Sequence, residues 1–88
     1  MKRLRITVTK DDIIAGQPEI VSACPVALAI RRATGCDLVR VFGDGEITIG
    51  KTRILMPIRG ACARFVQAFD AGRAVRPFVF YIPRKGAK

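Results

Sequence analysis

The sequence predicts an α+β fold. It should be a small single domain with a mostly antiparallel sheet of four to five short strands and two helices packed on one face, in the order β-α-βββ-α-β. Three observations carry that expectation. The 88 residues are half hydrophobic, enough for one compact core and too few for two. Both ends of the chain alternate or cluster β-favouring residues, and the middle holds three short β runs punctuated by glycine. Two segments carry helix-type apolar spacing with recognisable start and stop signals.

Leu4-Arg5-Ile6-Thr7-Val8-Thr9 alternates apolar and polar residues, which marks a half-buried strand with Leu4, Ile6 and Val8 inward. Thr9 to Asp12 then supply capping residues ahead of Ile13-Ile14-Ala15, and Gly16 restricts this piece to a short helical turn. Gln17-Pro18-Glu19 reads as loop. The next helix is expected over about 23–34, with Ser22 as N-cap and Pro25 in the first turn, where a missing N–H costs nothing. Arg31 and Arg32 sit at its C-terminal end, where the helix dipole favours cations, and Gly35 closes it.

Three β runs follow, 37–42, 46–49 and 52–56, joined at Gly43-Asp44-Gly45 and Gly50-Lys51 as tight hairpins require. Pro57 opens a second helix whose residues Ile58, Cys62, Phe65, Val66 and Phe69 form one apolar stripe, ending at Asp70-Ala71-Gly72. Pro77 to Ile82 is an aromatic strand stopped by Pro83. The domain therefore spans 1–83, and 84–88 form a basic tail.

Sixteen Lys and Arg face seven Asp and Glu, a net charge of +9, and eleven of the sixteen are Arg. Guanidinium groups suit bidentate phosphate contacts, and such a charge favours polyanionic partners and salt-sensitive association. A solvated basic surface is the plainer account of the same composition. Cys24, Cys36 and Cys62 are odd in number and follow no secretory leader, because Thr7, Thr9, Lys10, Asp11 and Asp12 interrupt any apolar run after the basic start. No apolar stretch is long enough to span a bilayer. These features predict free thiols in a reducing cytoplasm, without a membrane role.

The stretch Cys24 to Ala33, CPVALAIRRA, looks most like a reactive site, because a thiol in the first turn of a helix can be activated. The chain contains no histidine, however, so Cys–His catalysis is excluded. A phosphate-binding Cys-x5-Arg loop would need arginine where Ile30 stands, and no Cys-x-x-Cys pair is present. A thiol packed at a helix start is the favoured reading. Three scattered cysteines do not make a four-ligand zinc site, Gly43 to Glu46 lacks the context of a P-loop, and Asp11 and Asp12 serve better as caps than as an acid–base pair. No catalytic residue, metal or cofactor is predicted.

The arginines offer more. Arg3 and Arg5 share the face of the first strand opposite its apolar residues. Arg40 and Arg53 lie in the meander strands, on a side set by a register that the sequence does not fix, and an open face would carry Arg3, Arg5, Arg53 and Tyr81 if the helices cover the other. A basic sheet with an exposed aromatic resembles a nucleic-acid platform in outline, although Phe78 and Phe80 are expected in the core. Arg31, Arg32, Arg59 and Arg64, placed on the two helices, form a candidate second basic surface.

The chain resembles a group of small proteins encoded by phages, prophages and other mobile elements. The resemblance rests on Ile6-Thr7-Val8, Asp12-Ile13 and Gly16, then Cys24-Pro25-Val26-Ala27-Leu28-Ala29-Ile30 with Arg32-Ala33, and finally Phe69 to Arg73, Val75, Pro77-Phe78 and Phe80. It covers most of the chain, and the Cys-Pro-Val-Ala-Leu-Ala block is its most specific part. It implies a bacterial cytoplasm and an accessory factor, some of which inhibit defence systems as anti-CRISPR proteins do. Many such inhibitors are acidic DNA mimics, and the charge of +9 departs from that pattern. The resemblance assigns no functional residue. The expected function is non-enzymatic binding of nucleic acid or a nucleoprotein complex through an arginine-rich surface. The alternatives are a protein–protein module, either a homodimer built on the 77–82 strand or a ligand for an acidic host protein, and a small thiol enzyme centred on Cys24.

Overall fold

The computed structural model describes residues 3–83 and has α+β architecture, with three helices and two antiparallel sheets. The predicted basic tail, 84–88, lies outside the described residues. Strand β1 (Arg3–Val8) leads into helix α1 (Lys10–Ala15), and helix α2 (Pro25–Thr34) follows. A meander of β2 (Val39–Val41), β3 (Glu46–Ile49) and β4 (Thr52–Leu55) leads to helix α3 (Ala61–Asp70) and strand β5 (Phe78–Pro83).

The strands do not form one sheet, which corrects the expected four-to-five-stranded layer. β1 pairs with β5 alone in a two-stranded ribbon running from Arg3↔Pro83 to Val8↔Phe78. β2, β3 and β4 make a separate three-stranded sheet. Alternation fixes which face a side chain takes but not which strand lies alongside, so the sequence leaves this division open. α2 bridges the two sheets by packing on both β1 and β2. Val26, Ala27, Ala29 and Ile30 of α2 meet Ile6 and Val8 of β1, Val39 and Val41 of β2, and Ile47 of β3 in one buried cluster.

The helices differ from expectation at their starts. α1 is a full six-residue helix because Thr9 and Asp12 form a reciprocal cap. The Thr9 N–H donates to Asp12 Oδ2 at 2.8 Å, and the Asp12 N–H donates to Thr9 Oγ1 at 3.2 Å. α2 is capped by Cys24 rather than Ser22, its Sγ accepting from the Ala27 N–H at 3.5 Å. Pro25 holds the first position, and Gly35, at φ 74°, closes the last turn onto the Arg31 carbonyl. α3 begins at Ala61, because residues 57–60 fold into a turn closed by the Gly60 N–H on the Pro57 carbonyl at 2.9 Å. Ile58 therefore leaves the predicted apolar stripe and is exposed, while Cys62, Phe65 and Val66 stay buried.

Phe78 and Phe80 take the inner face of β5 as predicted. Phe65 of α3 packs against Phe78 with ring centroids 4.8 Å apart, and Phe78 against Phe80 at 5.5 Å, so α3 backs the β1–β5 ribbon through an aromatic stack. Among the described residues no helix is long and apolar enough to cross a membrane.

Candidate nucleic-acid interface

With Leu4, Ile6, Val8, Phe78, Phe80 and Ile82 turned inward, the pleat of the ribbon sends Arg3, Arg5, Thr7, Val79, Tyr81 and Pro83 to the opposite face. Arg5 lies directly across from Tyr81. The Arg3 guanidinium carbon stands 6.0 Å from the centroid of the Tyr81 ring, at the outer limit of a cation–π contact. Tyr81, 48% exposed, is thus flanked by two arginines on a face that carries no acidic side chain. The alternation of the first strand predicts the shared face of Arg3 and Arg5, and the pairing with β5 places Tyr81 beside them.

Arg53 is elsewhere. It sits on the outer face of the meander in a cross-strand row with Thr48 and Arg40, and its Nε pairs with Glu46 Oε2 at 3.2 Å. Arg40 adds to this second row, and the register of the three strands reveals it where the sequence alone does not. Arg53 is largely exposed and Glu46 partly so, which lets solvent screen the pair and keeps its contribution to stability small.

Arg32 and Arg31 are tied down. The Arg32 guanidinium grips the buried Asp12 carboxylate bidentately, Nη1 to Oδ1 at 2.7 Å and Nη2 to Oδ2 at 2.8 Å. Its Nη2 also donates to the Thr7 carbonyl of β1 at 2.9 Å. Hydrogen bonding to Arg32, reinforced by Thr9, holds the Asp12 carboxyl below the ordinary carboxylate range against the opposing effect of burial. The same contact raises Arg32 further above its ordinary value. Arg31 Nη1 donates to the Ser22 carbonyl at 3.0 Å, drawing the α1–α2 loop onto α2. Arg64 is exposed on α3, whereas Arg59 lies in the turn before that helix and not on it. The expected helical basic surface therefore splits, with Arg31 and Arg32 committed to internal contacts.

Cys24 is buried, and desolvation pushes its thiol up despite the N–H groups of Ala27 and Val26. Cys62, also buried, is pushed up to about 12 by desolvation, with Cys24 adding to the effect. Neither is held as a thiolate at neutral pH. Iodoacetamide under native conditions should label the half-buried Cys36 first, and Cys24 and Cys62 only in denaturant, as read by peptide mass spectrometry. Rapid native labelling of Cys24 would revive the thiol-enzyme reading.

No protein-family model, curated protein or solved structure matches the chain. The fold and this face define a small α+β domain with an arginine–tyrosine ribbon.

Proposed function

We propose that the protein is a non-enzymatic accessory factor of phage type that binds nucleic acid or a nucleoprotein complex through the outer face of its β1–β5 ribbon. The observation supporting this reading is Tyr81 exposed between Arg3 and Arg5 on a face free of acidic groups. The guanidinium groups neutralise phosphates or bond base edges, and the phenol ring offers a surface for stacking. Inhibition of a host defence complex such as CRISPR–Cas follows within this reading if the face engages the nucleic acid that such a complex carries.

Fluorescence anisotropy with labelled DNA and RNA at several salt concentrations tests it. Wild-type affinity should fall linearly with salt on logarithmic axes. The double charge reversal Arg3→Glu/Arg5→Glu should lower affinity by more than about tenfold and flatten that line by about one to two charges, whereas Arg59→Glu should have a smaller effect. Equal losses from both variants would remove the ribbon from the proposal.

A second reading has one observation in its favour. Among the described residues β5 pairs on one side only, and its outer face presents Val79 and Tyr81, so its free edge suits strand addition by a second copy or a host protein. A molar mass that doubles with concentration in light scattering, insensitive to salt, would favour this reading over polyanion binding.

A further inference from the structure

The division into two sheets decides which form of nucleic acid the face fits. A continuous sheet of five strands, at about 4.8 Å between neighbours, is roughly 19 Å across its backbones and cannot enter a DNA groove about 12 Å wide. A ribbon of two strands is about 5 Å across before its side chains are counted, and the major groove of B-form DNA admits such a ribbon. Six residues per strand give it a length of about 20 Å, the rise of about six base pairs. Neither edge of the ribbon continues into the meander: among the described residues β1 and β5 pair only with each other.

Resting on the nucleic-acid reading above, we propose that the β1–β5 ribbon lies face-down in the major groove of duplex DNA. Arg5, Thr7, Val79 and Tyr81 meet the base edges from the middle of the ribbon, while Arg3 at one end and Arg76, exposed just ahead of β5 at the other, take the flanking phosphates. The chemistry suits a groove floor. Arginine bonds guanine N7 and O6, threonine bonds bases of either kind, and valine and the threonine methyl pack on thymine methyl groups. Charge complementarity is one-sided, since none of the six outward residues Arg3, Arg5, Thr7, Val79, Tyr81 and Pro83 is acidic. Packing of Phe65, Phe78 and Phe80 behind β5, and of α2 behind β1, presents the ribbon as a stiff blade and not a loose arm.

The test compares four forms of one mixed sequence in anisotropy titrations with the full chain. They are a B-form DNA duplex, the same DNA as a single strand, the matching RNA duplex, and a DNA duplex whose cytosines are glucosylated 5-hydroxymethylcytosine, which fills the major groove. A-form RNA has a major groove too deep and narrow for side chains to read. The expected result is binding to the plain DNA duplex at least about tenfold tighter than to the other three, with that preference lost in Arg5→Ala and Tyr81→Ala. Single strand or RNA bound as tightly as duplex DNA, with Arg5→Ala still weakening all three, would overturn groove docking and leave the basic-face reading standing. Tight binding to the glucosylated duplex would likewise overturn it. Failure of all four to bind at low salt would end both. The glucosylation comparison uses the wild-type chain, so it decides the matter even if a variant misfolds.

Discussion

Asp12→Ala should destabilise the protein by about 3 kcal/mol, enough to shift its thermal midpoint downward by more than about 10 °C for a chain of this size. The substitution removes two charge-assisted hydrogen bonds from Arg32, at 2.7 and 2.8 Å, and half of the reciprocal cap with Thr9. The cost lies at the lower end of the range of about 3–5 kcal/mol for breaking a buried pair, because the Arg32 side chain is 53% exposed and regains water once released. The contact joins three elements: Asp12 on α1, Arg32 on α2 and the Thr7 carbonyl on β1. Its loss therefore loosens the corner where the ribbon meets the helices.

A pH dependence follows from the same pair. The Asp12 carboxyl titrates in the folded protein below its unfolded value near 3.8, so the folded state binds its proton more weakly than the unfolded state does. The stabilisation is fully present above that unfolded value and is lost as pH falls through the lower, folded one. Urea unfolding of wild type and Asp12→Asn should thus show a constant gap from neutral pH down to about 5, narrowing as pH falls past 3.8. A gap that persists unchanged into strong acid would assign the effect to capping and not to ionisation.

Gly45→Ala should be at least as damaging, about 3 kcal/mol or more. Gly45 is buried at φ 99°, outside the range of residues with a side chain, and a Cβ there would fall onto the Met56 carbonyl oxygen. The backbone cannot retreat easily. The Gly45 N–H donates to the Phe42 carbonyl at 3.1 Å, and the Gly45 carbonyl accepts from the Met56 N–H at 2.8 Å, pinning the β2–β3 turn to the end of β4. Gly35 supplies the contrast: it also has positive φ, 74°, yet nothing lies within 4 Å of its Cβ position. Gly35→Ala should cost only about 1–2 kcal/mol, from left-handed strain alone. Equal losses at the two sites in chemical denaturation would mean that the backbone around Gly45 yields to the added Cβ.

Local chemistry explains which features were legible beforehand. Pro25 and Gly35 delimit α2 within two residues, because one fixes φ at the first turn and the other supplies the left-handed exit. Alternation along 4–9 placed Arg3 and Arg5 on one face, and the antiparallel pairing with β5 added Tyr81 to them. What stayed hidden depends on neighbours distant in sequence. Nothing local links Asp12 to Arg32 across the 16–24 loop, so Arg32 read as a free surface charge when it is a fastening. The capping role fell to Cys24 instead of Ser22 because Pro25 sets the helix start, and only the residue just before it has the N-cap geometry. The side taken by Arg40 and Arg53 stays open in the sequence, since it depends on strand partners that the pattern of Thr52 to Leu55 does not name.

The pairing of β1 with β5 also sets the order in which the molecule can be made. β1 is synthesised before the meander and α3, yet among the described residues its sole strand partner is β5, which follows them. The meander and the helices can settle from nearby contacts, whereas β1 must wait for β5 with its apolar face of Leu4, Ile6 and Val8 turned to α2 and the core. Closing so long a loop is slow compared with forming a hairpin. The arginine–tyrosine face is therefore completed only once β5 has been made, and a nascent chain halted before Phe78 carries the arginines without the strand that groups them with Tyr81.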